Sequence, residues 1–320
     1  MRPSVSALLP VHDGIEWIAR ALTNIESIMS HKDEIIIVDN GSTDGTVEFL
    51  KRYRFKYSTI VLYLKEKNLV NALNEGIEVS KNTWIARFDV DDLYEQNRIE
   101  KLFSQVTAST VAVFSDFKLL DDKSNEYGQI YNGILDSAIK LSLPRSERNP
   151  HPSVLFRKKD VIEVGGYLNE DYPCEDLSLW LRLSKQGSFH GFPSPLLHYS
   201  LLQRSVSATN YELIKTKSSF LVRKYFDTTI VCDAYDQLAS TLETYNSIPN
   251  SLERKLLHLR DFLHPIIWEQ LRFLQKMKLI FCIFGIIIWP KAWKVIFVLH
   301  TERKGRFHFR FLTSKGFNVS

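Results

Sequence analysis

Cysteine is scarce in this sequence. The 320 residues hold three cysteines, Cys174, Cys232 and Cys282, which lie far apart and form no CxxC pair. Such spacing indicates neither a disulfide framework nor a zinc site, and it is typical of a reducing compartment. The glycine-rich motifs GxGxxG and GxxxxGK[ST] are also missing. These absences argue against a Rossmann-type cofactor and against a P-loop nucleotide site.

Long apolar runs are lacking as well. A membrane-spanning helix needs about 20 predominantly apolar residues, whereas the charge-free run 279–289 has eleven and is followed by Pro290 and Lys291. This segment has three interpretations: a span, a buried core helix, or a helix in the membrane interface with Trp289 and Trp293 at headgroup level. We favour the interface. The apolar stretch 4–11 is too short for a signal peptide, so we expect cytosolic chemistry.

Charge is unevenly distributed along an otherwise ordinary globular composition. Hydrophobic residues make up 44% and charged residues 24%, which suits one large domain or a domain with an appendage. Residues 251–320 carry 13 Lys and Arg against 4 Asp and Glu, a net charge of +9, whereas the rest carries −5. A basic tail on an acidic body predicts an anionic surface as partner. No nucleic-acid motif accompanies the tail, so we expect no nucleic acid.

Strand-length apolar runs alternate with helical patterns over the first 90 residues. We predict strands at 4–11, 34–38, 59–64 and 84–88, and helices at 15–29, from 42 or 43 to 53, and 69–80. Such alternation predicts an α/β domain with a mostly parallel sheet and helices on both faces. We place this domain at residues 1–210. A helical region at 211–320 would follow, with helices at 211–226 and 232–245 and a basic, membrane-associating segment at about 254–300.

Three carboxylates, Asp89, Asp91 and Asp92, follow the fourth predicted strand. Side chains alternate along an extended chain, so Asp89 and Asp91 would project to the same side. Mg²⁺ and Mn²⁺ prefer oxygen ligands of this kind, although Asp is also common in plain turns. Polar clusters end the first and second predicted strands too, at 10–13 and 39–44. Because ligands bind at the carboxyl ends of parallel strands, one composite site is predicted there.

Eight segments in order resemble family 2 glycosyltransferases of the GT-A fold, over residues 4–207. They are LPVHD (9–13), IVDNGSTD (37–44), ALNEG (72–76), ARFDVDD (86–92), HPSV (151–154), GGY (165–167), ED with LWLR (175–182) and SVS (205–207). The resemblance implies that Pro10, His12 and Asp39 line the base and ribose pocket, with Asp39 accepting a hydrogen bond from uracil. Asp89 would face the nucleotide, and Asp91 would bind the Mn²⁺ or Mg²⁺ that bridges the diphosphate.

The resemblance also implies an inverting displacement with Asp176 as the general base. His151, Gly166 and Glu175 would lie near the acceptor or the donor sugar. Simpler interpretations stay open, since an acid in the first turn of a helix is favoured by the helix dipole alone. His151 would then be a packed histidine and Gly166 a plain turn residue.

The sequence departs from the family pattern at two places. Asn68 stands where the family has a glycine, and Asn tolerates the positive φ that we expect there. Ser200 and Leu202 stand where many relatives carry an arginine and a histidine that contacts the metal or the diphosphate. Either His198 or Arg204 takes part of that role, or the metal keeps an extra water; our hypothesis is that Arg204 helps to hold the diphosphate.

By resemblance, the function is sugar transfer in bacterial surface polysaccharide synthesis, such as O-antigen, capsule or lipooligosaccharide. The donor would be a UDP-hexose or UDP-N-acetylhexosamine, and the acceptor a lipid-linked glycan. The enzyme would be peripheral on the cytoplasmic face of the inner membrane. Two alternatives remain. One is a non-catalytic glycan- or membrane-binding protein, and the other is a phosphatase of the haloacid-dehalogenase type, in which the DxD motif follows the first strand.

Overall fold

The computed structural model describes residues 2–121, 123–145, 149–203 and 205–262, and in addition residues 264, 267, 271, 275, 276 and 279. Within these residues, nine segments form the strands of a single sheet. They are β1 (Val5–Val11), β2 (Glu34–Asn40), β3 (Ser58–Leu64), β4 (Trp84–Arg87), β5 (Leu93–Tyr94), β6 (Thr110–Leu120), β7 (Glu126–Ile130), β8 (Leu155–Arg157) and β9 (Ser188–Ser200).

The sheet has a parallel half and a mixed half. Its order is β3-β2-β1-β4-β8-β6-β9-β5, with β7 added on β6. The first four strands are parallel, as predicted. Beyond them β8 runs antiparallel to both β4 and β6, β9 is parallel to β6, and β5 is antiparallel to β9. The prediction of a mostly parallel sheet is therefore wrong for this half. Strands of two and three residues, such as β5 and β8, are too short to leave a periodic pattern.

Helices cover the sheet and continue beyond it. They are α1 (Ile18–Ile28), α2 (Thr46–Arg52), α3 (Leu69–Val79), α4 (Arg98–Phe103), α5 (Asp136–Ser142), α6 (Lys158–Glu163), α7 (Glu175–Leu183), α8 (Val206–Thr209), α9 (Tyr211–Tyr225), α10 (Thr229–Asp236), α11 (Leu238–Thr244) and α12 (Ser251–Phe262). The single helix predicted at 232–245 is wrong, because the chain forms α10 and α11 there instead, with Gln237 between them.

Each face of the sheet is covered by an apolar layer. Along β1 the side chains alternate, so Leu8 packs with residues of α3 and α7, whereas Ala7 and Leu9 pack with residues of α1 and α4. The prediction of helices on both faces is confirmed. Gly76 lets α3 approach the sheet closely, because a Cβ there would come within 2.3 Å of Leu8 Cδ1.

Two predicted helix starts differ in the structure. Asn68 has an extended backbone with φ −151°, and its side chain accepts a hydrogen bond from the Asn71 amide at 2.9 Å. It is therefore the N-cap of α3, and the predicted positive φ is wrong. Neither Ser42 nor Thr43 caps α2, since the Asp44 carboxylate accepts from the Thr46 amide instead, at 3.0 Å.

The helices that follow the sheet pack on the same apolar layer as α7. Leu221, Val231 and Phe262 belong to the cluster that contains Trp180. Arg254 is 1% exposed and forms an ion pair with Asp116 on β6. The expectation that Arg254 contributes to a membrane-binding surface is therefore wrong. The division at residue 210 stays a prediction.

Most of the predicted membrane-associating segment lies outside the described residues. Of the apolar run 279–289, the structure describes Leu279, which is buried in the cluster of α7. Among the helices that the structure describes, none combines the length and the apolar character that a membrane span requires.

Candidate active site

The carboxyl ends of β1, β2 and β4 come together at one edge of the sheet. Pro10 pairs with Val38 and Val11 with Asp39, so the ends of β1 and β2 are level. His12 Nδ1 lies 2.9 Å from the Asn40 carbonyl, which ties the loops that follow the two strands. The predicted nucleotide-binding side chains of these loops are therefore neighbours.

Asp39 ends β2 with a buried carboxylate. It is 1% exposed, and its Oδ2 accepts a hydrogen bond from the Ser42 amide at 3.2 Å. Within the described residues its Oδ1 has no hydrogen-bond partner. A buried carboxylate oxygen without a donor is costly. This oxygen is thus suited to accept a hydrogen bond from a ligand at the strand ends.

The acidic turn after β4 crowds three carboxylates together. Asp89, Asp91 and Asp92 each offer an oxygen atom, and these oxygens lie within 4.8 Å of one another. Burial and the charge of Asp89 raise the pKa of Asp91 to about 6. Burial also raises the pKa of Asp92 well above its usual range, with Asp91 adding to the effect. A divalent cation would relieve this repulsion, and the donor set fits Mn²⁺ or Mg²⁺.

The three carboxylates are not equally open to a ligand. Asp92 is 2% exposed, and its Oδ1 accepts a hydrogen bond from the Ser200 amide at 2.8 Å. Ser200 Oγ donates to the Asp91 carbonyl at 2.7 Å. Asp92 therefore fastens the turn to β9. Asp89 and Asp91, both partly exposed, are the carboxylates able to hold a cation.

Arg87 is a site residue for which we predicted no role. It is 3% exposed, and its Nη2 lies 2.8 Å from Asp89 Oδ1. Its positive charge also lowers the pKa of Asp91, Glu175 and Asp176, against the larger effect of burial. An arginine inside a buried strand was the sequence signal, because a buried guanidinium requires an acidic partner.

Asp176 lies in the first turn of α7, next to Glu175. Its Oδ1 accepts a hydrogen bond from the Leu177 amide at 2.6 Å, and burial raises its pKa to about 6. Burial, together with the charge of Asp176, raises the pKa of Glu175 to about 7. The charge of Asp89 contributes to both shifts. The acidic turn and the start of α7 thus belong to one electrostatic site.

His151 lies in the interior. It is 8% exposed, its Nε2 is 2.6 Å from the Tyr167 hydroxyl, and its ring contacts Trp180 edge-on at 5.9 Å between centroids. Burial lowers the pKa of His151 well below its usual value. His151 is therefore a neutral imidazole that packs in the interior against Tyr167 and Trp180. Its place near the acceptor stays a prediction.

Gly166 belongs to a tight turn before α7. Its φ is +65°, and a Cβ there would lie 2.7 Å from Asn74 Oδ1. The Asn74 side chain donates to the Tyr167 carbonyl and accepts from the Tyr167 amide, both at 2.9 Å. The Asn74 side chain therefore holds the Tyr167 backbone through two hydrogen bonds. The Tyr167 hydroxyl lies next to His151.

His198 and Arg204 were the two predicted substitutes for the missing histidine, and both roles stay predictions. His198 Nε2 lies 2.9 Å from Glu95 Oε1, so its side chain is paired on the strand edge. Arg204 lies outside the described residues, and its role stays a prediction. At the position where many relatives carry an arginine, Ser200 holds the acidic turn through its hydrogen bonds to Asp91 and Asp92.

The family model described as Glycosyl transferase family 2 matches residues 6–165, half of the chain. The chain belongs to this family. It is 30% identical over 197 residues to the UDP-Gal:alpha-D-GlcNAc-diphosphoundecaprenol beta-1,3-galactosyltransferase of Escherichia coli, covering 58% of this chain and 69% of that protein. To the amylovoran biosynthesis glycosyltransferase AmsE of Erwinia amylovora it is 28% identical, over 54% of this chain and 65% of the relative.

Solved structures share the fold. S. aureus TarS 1-349 in complex with UDP superposes with a TM-score of 0.55 at 12% identity, covering 81% of this chain and 80% of that TarS segment. The mannosyltransferase PcManGT of Pyrobaculum calidifontis, in complex with GDP-Man and Mn²⁺, superposes with a TM-score of 0.56 at 14% identity, over 92% and 84% of the two chains. The predicted GT-A fold is confirmed. As a member of this family the chain is a glycosyltransferase, and the phosphatase alternative is set aside.

Proposed function

We propose that this glycosyltransferase moves a sugar from a nucleoside diphosphate sugar to a hydroxyl of a lipid-linked glycan, with inversion at the anomeric carbon. One observation carries the proposal: three carboxylates crowd within 4.8 Å of one another after β4, and burial together with the charge of one of them, Asp89, raises the pKa of Asp176 at the start of α7. One acidic group would serve the leaving diphosphate, and the other would serve the attacking hydroxyl.

The donor would be a UDP-hexose or UDP-N-acetylhexosamine. Asp39 Oδ1, buried and without a partner among the described residues, would accept the imide hydrogen of uracil. Pro10 and His12, on the adjoining strand end, would complete the base and ribose pocket, and Asp89 would face the nucleotide. Support comes from TarS, which was solved with UDP, and from the Escherichia coli relative, which is named for UDP-Gal.

Asp91, with Asp89 beside it, would hold Mn²⁺ or Mg²⁺. The crowding of the three carboxylates within 4.8 Å supports this assignment, as does the Mn²⁺ in the complex of PcManGT. When bound, such an ion supplies Lewis-acid neutralisation of the charge that grows on the departing diphosphate. We propose Arg204 as a further cationic group for the diphosphate.

Asp176 would act as general base. Because its pKa is about 6, the carboxylate is mostly ionised at pH 7 and can take the proton of the acceptor hydroxyl. The new bond joins that oxygen to the anomeric carbon, while the bond from this carbon to the diphosphate oxygen breaks. Attack from the side opposite the leaving group converts an α-linked donor into a β-linked product.

The acceptor would be a glycan carried on a polyprenyl diphosphate or a lipid A core, as in bacterial surface polysaccharide synthesis. The diphosphoundecaprenol acceptor in the name of the Escherichia coli relative and the amylovoran pathway of AmsE support this class. We place the enzyme peripherally on the cytoplasmic face of the inner membrane, with the basic carboxyl-terminal region against the anionic lipid surface.

A donor and acceptor screen tests the proposal. The full chain is incubated with Mn²⁺, each of several UDP-sugars, and a polyprenyl diphosphate-linked sugar, and release of UDP is measured. We expect UDP release that requires the acceptor, and a β-linked product by nuclear magnetic resonance. Failure to release UDP with every donor and acceptor would favour the non-catalytic binding protein.

A further inference from the structure

Exposed apolar side chains concentrate on the helices after the sheet. Among the described residues, eight large apolar side chains are exposed, and four of them lie between residues 206 and 220. They are Val206, Tyr211, Leu213 and Phe220. Phe220 at 59% exposure and Leu213 at 52% are the most exposed of the eight. Single exposed apolar residues need no explanation, but a concentration of them marks an interaction surface.

Leu213 and Phe220 belong to one row of α9. With 3.6 residues per turn, Leu213, Lys217, Phe220 and Lys224 fall within roughly 60° of one another around the helix axis. Val222, on the opposite side of α9, and Leu221, on the flank next to Lys217, are buried in the apolar layer of α7. We call these four residues the α9 stripe; Leu213, Phe220 and Lys224 are exposed, and Lys217 is half-buried. Apolar and basic side chains alternate along it.

The charge on α9 selects the kind of partner. The helix carries Lys215, Lys217, Arg223 and Lys224 against a single acid, Glu212. Long basic side chains next to exposed Leu and Phe are the pattern of helices that lie in the interface of an anionic bilayer. A second protein copy would have to cover the same lysines with acids, and α9 itself offers only Glu212 for that purpose.

The α9 stripe lies next to the loop that leads into Asp176. Lys217 Nζ donates to the Tyr172 carbonyl at 2.6 Å, and Cys174 Sγ lies 3.6 Å from the Ile214 carbonyl. Residues 172–174 directly precede Glu175 and Asp176. A bilayer that contacts α9 would thus lie beside the proposed general base, where a membrane-anchored acceptor enters.

We propose that the α9 stripe docks the protein on an anionic phospholipid surface. In the sequence, the α9 stripe precedes the basic region at 254–320. The link between this surface and a membrane-anchored acceptor rests on the proposed function. Binding of the α9 stripe to lipid does not, so either claim can fail without the other.

Vesicle co-sedimentation of the full chain tests the docking. Vesicles of phosphatidylglycerol with phosphatidylcholine are compared with phosphatidylcholine alone, at low and high salt. We expect the L213S/F220S variant to lose about tenfold or more in binding to the anionic vesicles, because two apolar side chains no longer enter the interface. Lys224→Gln should lose on the order of fivefold, at low salt only. The I162S/K159Q variant, altered at exposed residues of α6, is the matched control and should bind as the parent does.

Three results would overturn the inference. One is an unaltered affinity of L213S/F220S, which would assign binding to the basic region at 254–320. Another is the absence of binding by the parent protein. The third is a dimer in sedimentation that L213S/F220S converts to monomer without lipid. Thermal unfolding and UDP binding of each variant are measured in parallel, so that misfolding and a failed donor site are recognised separately.

Discussion

Asp176 and Glu175 are adjacent carboxyl groups with different surroundings. The Leu177 amide donates to Asp176, whereas within the described residues Glu175 Oε2 is buried without a partner. Burial raises the pKa of Asp176 to about 6 and that of Glu175 to about 7, and the Leu177 donor acts against burial on Asp176 by stabilising its ionised form. At neutral pH Asp176 is therefore mostly ionised, as a proton acceptor must be.

Replacing Asp176 tests its assignment as the base. We expect Asp176→Asn to lower the rate of transfer by about 10²–10⁴-fold, because the acceptor hydroxyl loses its proton acceptor. UDP affinity, measured by calorimetry, should be unchanged. Glu170→Gln, at an exposed acid of the preceding turn, is the control. Full activity of Asp176→Asn would exclude it as the base.

The pH dependence of transfer follows from the same group. Burial raises the pKa of Asp176 to about 6, so the carboxylate is protonated and inactive as a base below that pH. The rate should rise as pH increases from 5 to 7 and level off above. Ionisation of Asp91, whose pKa burial raises to about 6 as well, acts in the same direction. A rate at saturating donor that stays constant from pH 5 to 8 would contradict this account.

At the scale of elements, the turn between α6 and α7 offers a matched pair of glycines. Gly165 and Gly166 both have positive φ, +88° and +65°. A Cβ on Gly165 would have no heavy atom within 4 Å, but on Gly166 it would meet Asn74 Oδ1 at 2.7 Å. Alanine would therefore meet backbone strain at both positions, but it would clash with a neighbouring side chain only at Gly166.

Alanine at each position separates these effects. We expect Gly165→Ala to lower the free energy of unfolding by about 1–2 kcal/mol, the cost of a left-handed residue with a side chain. Gly166→Ala should cost more, because it also displaces the Asn74 side chain from Tyr167. Chemical denaturation measures both. Equal losses would show that the contact with Asn74 is unimportant.

Elements were predictable where strands and helices alternate regularly. The β1 to β4 half followed from strands of four to seven residues that alternate with helices, and the carboxyl-end rule placed Asp39 and Asp89 at the same edge of the sheet. The mixed half was not predicted, because β5 and β8 are too short for a pattern and the long strands β6 and β9 stand outside the regular alternation. Asn68 was misjudged for a different reason: its side chain competes for the Asn71 amide, and such local capping replaces the turn expected of a glycine.

At the scale of the whole molecule, Arg254 joins the helices after the sheet to β6. It is paired with Asp116, and its Nη1 also donates to the Asn132 carbonyl at 2.9 Å. From the sequence we assigned Arg254 to the basic, membrane-associating segment at about 254–300, because its partner Asp116 lies 138 residues away. The hydrogen bond from Ser200 to the Asp91 carbonyl, 109 residues away in the chain, was not predicted for the same reason. Long-range pairs of this kind leave no periodic signal.

Removal of Arg254 should destabilise the whole chain. We expect Arg254→Ala to lower the free energy of unfolding by about 3–5 kcal/mol, because Asp116 would keep a buried charge without its cation. Arg223→Ala, at an exposed arginine of α9, should change it by less than about 0.5 kcal/mol. Thermal and urea unfolding measure both. A loss for Arg254→Ala as small as that of the control would mean that α12 is not anchored through this pair.

The central claim is that the acidic turn binds the donor diphosphate through a divalent ion while Asp176 serves the acceptor. Calorimetric titration of UDP, with and without Mn²⁺, tests it on the parent protein, Asp91→Asn and Asp176→Asn. The account predicts tight binding of UDP that requires both Mn²⁺ and Asp91 and is indifferent to Asp176. Equal binding of UDP to Asp91→Asn, or to the parent protein without any divalent ion, would contradict it.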